Sequence, residues 1–289
     1  MLRRAAADPQ PASPRDAFDR PLITGLPAPR PTTVVPAGSS LRERLRAAGI
    51  HLLACTVVVL AVCAVVFGAW YPGPLPRLLG VGAILVIVFG VDLVVGPLLT
   101  LLVYDRSKPR LKWDLATICA LQLAALAYGV HTLYQGRPAF VVLVKDRFEV
   151  TSPADLRPQD REAARDNPNA RIDPMRPRWV AARPPALPDE RIAIVIEALV
   201  QGRDVQHHPR LYVDYASERD TALERSLPLS RLRALNPGRG AEIDALVARS
   251  GRAEGSLRYL PLRGPASDGT VVIDAKDASV VEVAGFVPW

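Results

Sequence analysis

The sequence predicts an α-helical membrane protein with three transmembrane helices, followed by a soluble α+β domain. Apolar runs follow one another from Ile50 to Tyr134 with very short connections. Each is long enough to cross a hydrocarbon core of about 30 Å, which takes about 20 residues. A soluble helical bundle would carry polar stripes at helical spacing, and these runs carry almost none. From Arg137 onward the pattern changes to short strands and amphipathic helices over a length that suits one folded core. The formal charge of +7 lies almost wholly outside the apolar block, in the tail, the loops and the C-terminal third.

Residues 1–45 read as a disordered cytoplasmic tail rich in Pro and Arg, with no hydrophobic period. No apolar stretch closely follows Arg3 and Arg4, so this is not a signal peptide. Ser40-Leu41-Arg42-Glu43 resembles a capping box and starts a helix. The transmembrane domain is expected over residues 46–136, with spans from Ile50 to Trp70, from about Leu78 to Val103, and from about Leu115 to Leu133. Arg42, Arg44 and Arg46 precede the first span, and Arg106, Lys108, Arg110 and Lys112 fill the loop after the second. The first connection, Tyr71-Pro72-Gly73-Pro74-Leu75-Pro76, is followed by only Arg77. Cytoplasmic loops carry the excess of Lys and Arg, so the N-terminus and the second loop face the cytoplasm and the C-terminal domain faces outside. Trp70, Tyr71 and Tyr134 fit the outer interface, Tyr104 and Trp113 the inner one.

Residues 137–289 form the expected external domain. Phe140 to Val144 and Arg147 to Val150 are strand material, and residues 152 to 178 are polar loop with a short helix. Asp189 to Gln201 is an amphipathic helix in which Ile192, Val195, Ile196, Leu199 and Val200 recur at helical spacing, closed by Gly202. Arg210 to Tyr215 is a strand. Ser217 with Asp220 opens a short helix, and another around Ile243, Leu246 and Val247 ends at Gly251. Leu257 to Leu262 is a strand, followed by a hairpin of Thr270 to Asp274 and Ser279 to Val283.

Catalytic signatures are missing: there is no nucleophile elbow, no H-E-x-x-H and no P-loop. Gly80-Val81-Gly82 lacks the third glycine of a dinucleotide fingerprint and is read as a helix-packing feature. His207-His208 before Pro209 is read as a loop, not a metal site. His51 and His131, near span ends, are read as interfacial packing. Cys55, Cys63 and Cys119 all lie in the spans, where they serve as small apolar residues, and the external domain needs no disulfide. No cofactor is expected. The arginines are interleaved with acids or sit beside spans, which argues against a nucleic-acid role.

The informative polar residues lie within the apolar block. Asp92 is near the middle of the second span, where a carboxylate costs roughly 2.5–3.5 kcal/mol on insertion scales, so it must face protein or be protonated. Gln122 falls at similar depth in the antiparallel third span. Two roles stay open for Asp92: a hydrogen bond with Gln122, or contact with a partner helix. Gly96 and Pro97 lie a turn beyond Asp92. Ala120 and Ala124, with Ala116, Ala125 and Gly129, form rows of small residues that let helices approach closely.

Several stretches resemble the type IV pilin accessory proteins, the TfpX/TfpZ family. They include Gly49 to Leu53, Trp70 to Pro74, Val91 to Thr100, Asp114 to Ala116, Leu121 to Gly129, Asp146 to Val150, Arg258 to Leu262 and Pro288-Trp289. The likeness runs from about residue 45 to 289, patchier between 152 and 250, and the long tail departs from it. The resemblance implies a non-enzymatic protein of the bacterial inner membrane that helps stabilise a type IV pilin subunit or assemble it into pili. Such pilins wait in that membrane on one apolar helix, with their heads outside. Its partners would then be the pilin and the lipid bilayer. The rival readings are a membrane-anchored periplasmic hydrolase using acids such as Asp214 or Asp274, and a sensor.

Overall fold

A computed structural model describes residues 39–289; of the tail expected over residues 1–45, residues 1–38 lie outside the described residues, and Leu41 to Leu45 are already helical. Among the described residues, three helices are long and apolar enough to cross a membrane: α1 (Leu41–Trp70), α3 (Val81–Val103) and α4 (Leu111–Gly136). Ser40 caps α1: its hydroxyl accepts from the Glu43 N–H, and the Glu43 carboxylate accepts from the Ser40 N–H. This reciprocal pairing satisfies donors that a helix start leaves open.

The two ends of the bundle are fastened differently. At one end the start of α1 meets the α3–α4 loop: Ser39 N–H donates to Asp105 (3.1 Å), and Arg106 pairs with Glu43 (3.0 Å). At the other end the Trp70 and Tyr134 rings meet edge to face at 5.1 Å, and Tyr71 Oη donates to the Leu133 carbonyl at 2.7 Å. Arg44, Asp105 and Arg106 thus share one end, and Trp70, Tyr71 and Tyr134 the other.

The second span starts at Val81 rather than Leu78, because a separate turn of helix, α2 (Leu75–Leu78), precedes it. Gly80 caps α3 with φ +69°, a left-handed conformation that favours glycine, and a Cβ on Gly82 would meet nothing. The Gly80-Val81-Gly82 stretch therefore makes a turn, not a helix contact. Leu75 and Leu78 of α2 are buried against the sheet of the C-terminal domain. The Leu78 carbonyl accepts from Ala266 N–H (3.0 Å) and Ser267 N–H (3.2 Å), so the first connection is built into that domain.

The sheet has eight strands: β1 (Phe140–Val144), β2 (Arg147–Thr151), β3 (Arg178–Ala182), β4 (Tyr212–Asp214), β5 (Leu227–Pro228), β6 (Leu257–Arg263), β7 (Gly269–Asp274) and β8 (Val280–Ala284). Their order is β4-β3-β1-β2-β6-β7-β8, with β5 paired to β6. The β1–β2, β3–β4, β6–β7 and β7–β8 pairs are antiparallel, whereas β1–β3 and β2–β6 are parallel. β1 is apolar throughout because both faces are covered. Val141 and Leu143 pack with Leu75, Leu78 and Phe148, while Phe140, Val142 and Val144 pack with Leu156, Ile194 and Tyr212 on the other side. β3 begins at Arg178, where the stretch read as loop ends, and its five residues are held as a strand by pairing with β1 and β4.

Helices α5 (Pro158–Ala163), α6 (Pro188–Gln201), α7 (Arg219–Arg225), α8 (Leu229–Leu235) and α9 (Gly240–Ser250) complete the domain. α8 and α9 cover the β6–β8 side through Leu229, Leu232, Ile243 and Leu246. α6 is helical as expected and ends at Gly202 with φ +68°, but its apolar stripe faces outward. Leu199 is 81% exposed and Val200 75%, whereas Ile194 alone of the helix is buried. Glu197 turns inward instead, where it pairs with Arg157 and Arg203, while Glu190 meets Arg210 at the surface.

Candidate functional site

The α3 sequence around Pro97 explains the local backbone. A proline has no N–H and its ring crowds the carbonyl one turn back, so an interior Pro disturbs the ladder. Here α3 passes through a π turn, Val91–Val95, in which Gly96 N–H bonds to the Val91 carbonyl. At that wider spacing the carbonyl of Asp92 would take the N–H of residue 97, and Pro97 has none to give. Gln122 of α4 supplies the donor: its Nε2 lies 3.3 Å from the Asp92 carbonyl oxygen. The same nitrogen is 3.8 Å from Cys55 Sγ of α1, so one amide ties all three spans together.

The expected Asp92–Gln122 bond therefore exists, but to the backbone of Asp92 and not to its carboxylate. Gly96 makes room, because any Cβ there would overlap the Gln122 amide. Asp92, Gly96 and Thr100 recur every fourth residue on one face of α3. On that face Thr100 Oγ1 meets His51 Nδ1 at 2.6 Å, so His51 joins α1 to α3 rather than packing at an interface. The spacing of Asp92, Gly96 and Thr100, matched by His51 and Cys55 on α1, was the sequence signal for this seam.

A cavity of about 210 Å³ opens beside these groups, walled by His51, Ala54, Cys55, Asp92, Cys119 and Gln122 among others. Asp92 is 4% exposed and Gln122 8%, and neither Asp92 Oδ2 nor Gln122 Oε1 has a hydrogen-bond partner. A buried polar atom without a partner is costly and calls for an explanation. Gly96 and Pro97 are buried at this seam. Ala120 and Ala124 are not part of it: with Ala116 they lie on the exposed side of α4. Of the small residues, Gly129 makes the close approach, because a Cβ there would overlap Val88.

The C-terminal domain offers less chemistry. Its groove of about 540 Å³, between Pro74, Trp179 and Phe286, is edged by charges that pair with neighbours, Arg239 with Glu242 and Arg249 with Glu282. Asp214 caps a turn through Ala216 N–H, and Asp274 accepts from Arg252 and Lys276 N–H. His207 and His208 sit in short helical turns at the foot of α6, and burial pushes both imidazoles below their usual range. Among the described residues no group of three or more His, Cys, Asp or Glu is placed to hold a metal ion.

A family model described as fimbrial assembly protein FimB matches residues 39–80, which cover α1, the aromatic turn and α2. The chain is also similar to the fimbrial assembly protein of serogroup I of Dichelobacter nodosus, with 29% identity over 245 residues, 82% of this chain and 94% of that protein. The serogroup E1 protein matches to the same extent. The protein of serogroups C1 and C2 is 33% identical over 111 residues, 37% of this chain and 84% of its own length. No solved structure gives a significant match.

Proposed function

Because the chain belongs to the FimB family of fimbrial assembly proteins, we propose that it is a non-enzymatic accessory protein of pilus assembly that stabilises a pilin subunit in the bacterial inner membrane or hands it to the growing pilus. The similarity to the D. nodosus fimbrial assembly proteins across 82% of the chain carries this reading. The TfpX/TfpZ type of accessory protein is the finer form of the proposal. A client with one apolar helix and an external head needs a holder with both parts, and this chain has three candidate spans and a sheet domain. α2 is embedded in that domain, so spans and domain form one frame for a client.

In this proposal the N-terminus is cytoplasmic and the sheet domain periplasmic. Support comes from the shared end of Arg44, Asp105 and Arg106, where the basic residues around α1 and the α3–α4 loop collect. Reporter fusions after Lys108 and after Trp289 should give opposite readouts, and matching readouts refute the arrangement. Deleting the gene should remove surface pili while pilin transcript is unchanged, and tagged full-length chain should co-purify with pilin. Normal piliation in the deletion strain would sink the proposal.

A further inference from the structure

Resting on that reading, we infer that the cavity beside Asp92 and Gln122 is the seat of a client transmembrane helix, and that it recognises a hydrogen-bond donor carried by that helix near mid-membrane. Asp92 and Gln122 both line one cavity and are more than nine-tenths buried, and Asp92 Oδ2 and Gln122 Oε1 are unpartnered among the described residues. Two donors of the seam are engaged: Gln122 Nε2 serves the Asp92 carbonyl and Cys55, and His51 Nδ1 is paired with Thr100. An ammonium, hydroxyl or amide N–H on an occupant would satisfy the two acceptors.

The occupant's class follows from depth. Asp92 is midway along Val81–Val103, where acyl chains offer no donor, so a lipid fills the cavity without satisfying it. A polar group reaching this depth must ride on a protein helix. A second copy of this chain would have to supply that donor from its own spans. Its Thr56, Thr117 and Thr132 hydroxyls each donate to the carbonyl four residues earlier on their own helix. A different helix, apolar overall with one donor, suits both the chemistry and the proposed client. Exposed Ala116, Ala120 and Ala124 continue round α4 beyond Cys119, and such small residues let a helix backbone come close.

The test uses full-length chain in cells that make the pilin, with a photo-crosslinking residue at Ala54 on the cavity wall. The expected product is a chain–pilin crosslink whose yield, per chain recovered, falls about tenfold in Asp92→Leu. Asp92→Asn, which keeps the volume and an acceptor oxygen, should retain the yield within about threefold. Gln122 is held by the Asp92 backbone, so neither variant removes its bond between spans. A crosslink to a second copy, an undiminished pilin crosslink in Asp92→Leu, or equal loss in both variants would overturn the inference. Co-purification of pilin separates the two levels. If pilin co-purifies but never crosslinks at Ala54, this inference fails and the assembly role stands; if pilin does not co-purify at all, the assembly role fails first.

Discussion

Gly96 and Gln122 share one space in the bundle: the amide of Gln122 lies where a side chain on residue 96 would have to be. The far end of a glutamine can swing away, so steric strain is not the main cost of filling that space. The cost is the bond between Gln122 Nε2 and the Asp92 carbonyl, which the displaced amide gives up.

Gly96→Ala should therefore be coupled to Gln122. Alanine favours the helix by about 1 kcal/mol over glycine, which offsets the lost hydrogen bond and keeps the net change small. Once Gly96→Ala is present, Gln122→Leu should cost almost nothing further. A thermal double-mutant cycle on purified chain in detergent should give a coupling of about 0.6–1.7 kcal/mol. Strict additivity would show that the amide does not depend on Gly96.

Pro97 creates the need that Gln122 meets. Pro97→Ala supplies an N–H where the π turn presents the Asp92 carbonyl, so the helix can satisfy itself. Gln122→Leu should then destabilise the parent by about 1 kcal/mol and the Pro97→Ala background by much less. Equal losses in both backgrounds, read as melting shifts, would refute the account.

On α6 the expected pattern is opposite to that of an ordinary amphipathic helix. Leu199→Ser and Val200→Ser should each change stability by under about 0.5 kcal/mol, since both side chains are already in contact with solvent. Ile194→Ala should cost about 2–5 kcal/mol, since Ile194 fills the core beside Phe140 and Tyr212. A large loss from Leu199→Ser would mean that the stripe is covered within the fold.

Asp160 gives a pH-dependent expectation. Burial pushes its carboxyl up, but hydrogen bonds from Arg157 and the nearby Arg203 outweigh that and hold it below its ordinary value of 3.8. A depressed folded-state pKa contributes stability above the unfolded value and loses it as pH falls through the folded one. The destabilisation caused by Asp160→Asn should be full above about pH 5 and should shrink steadily below it. A difference that stays constant into acid would show that the arginines do not hold the charge.

The sequence by itself determined the three candidate spans, the Ser40 cap, the hairpins of the sheet and the closing glycines Gly202 and Gly251. These features are local: apolar length, a side chain that reaches its own backbone, or a residue tolerant of positive φ. Asp92 and Gln122 were also legible as a pair, because two polar residues in apolar runs at matching depth have few other partners. Tertiary structure decided which atoms meet. The proline at residue 97 opens the backbone of α3, so the amide goes to a carbonyl and leaves Asp92 Oδ2 without a partner among the described residues. It also decided that β3 is a strand, since its short run is completed by β1 and β4. Periodicity established that α6 is two-faced but could not say which face turns inward. That choice rests on Arg157, distant in sequence from Glu197, together with Arg203 just past the helix end; their charges draw the carboxylate inward and leave the leucine and valines outside.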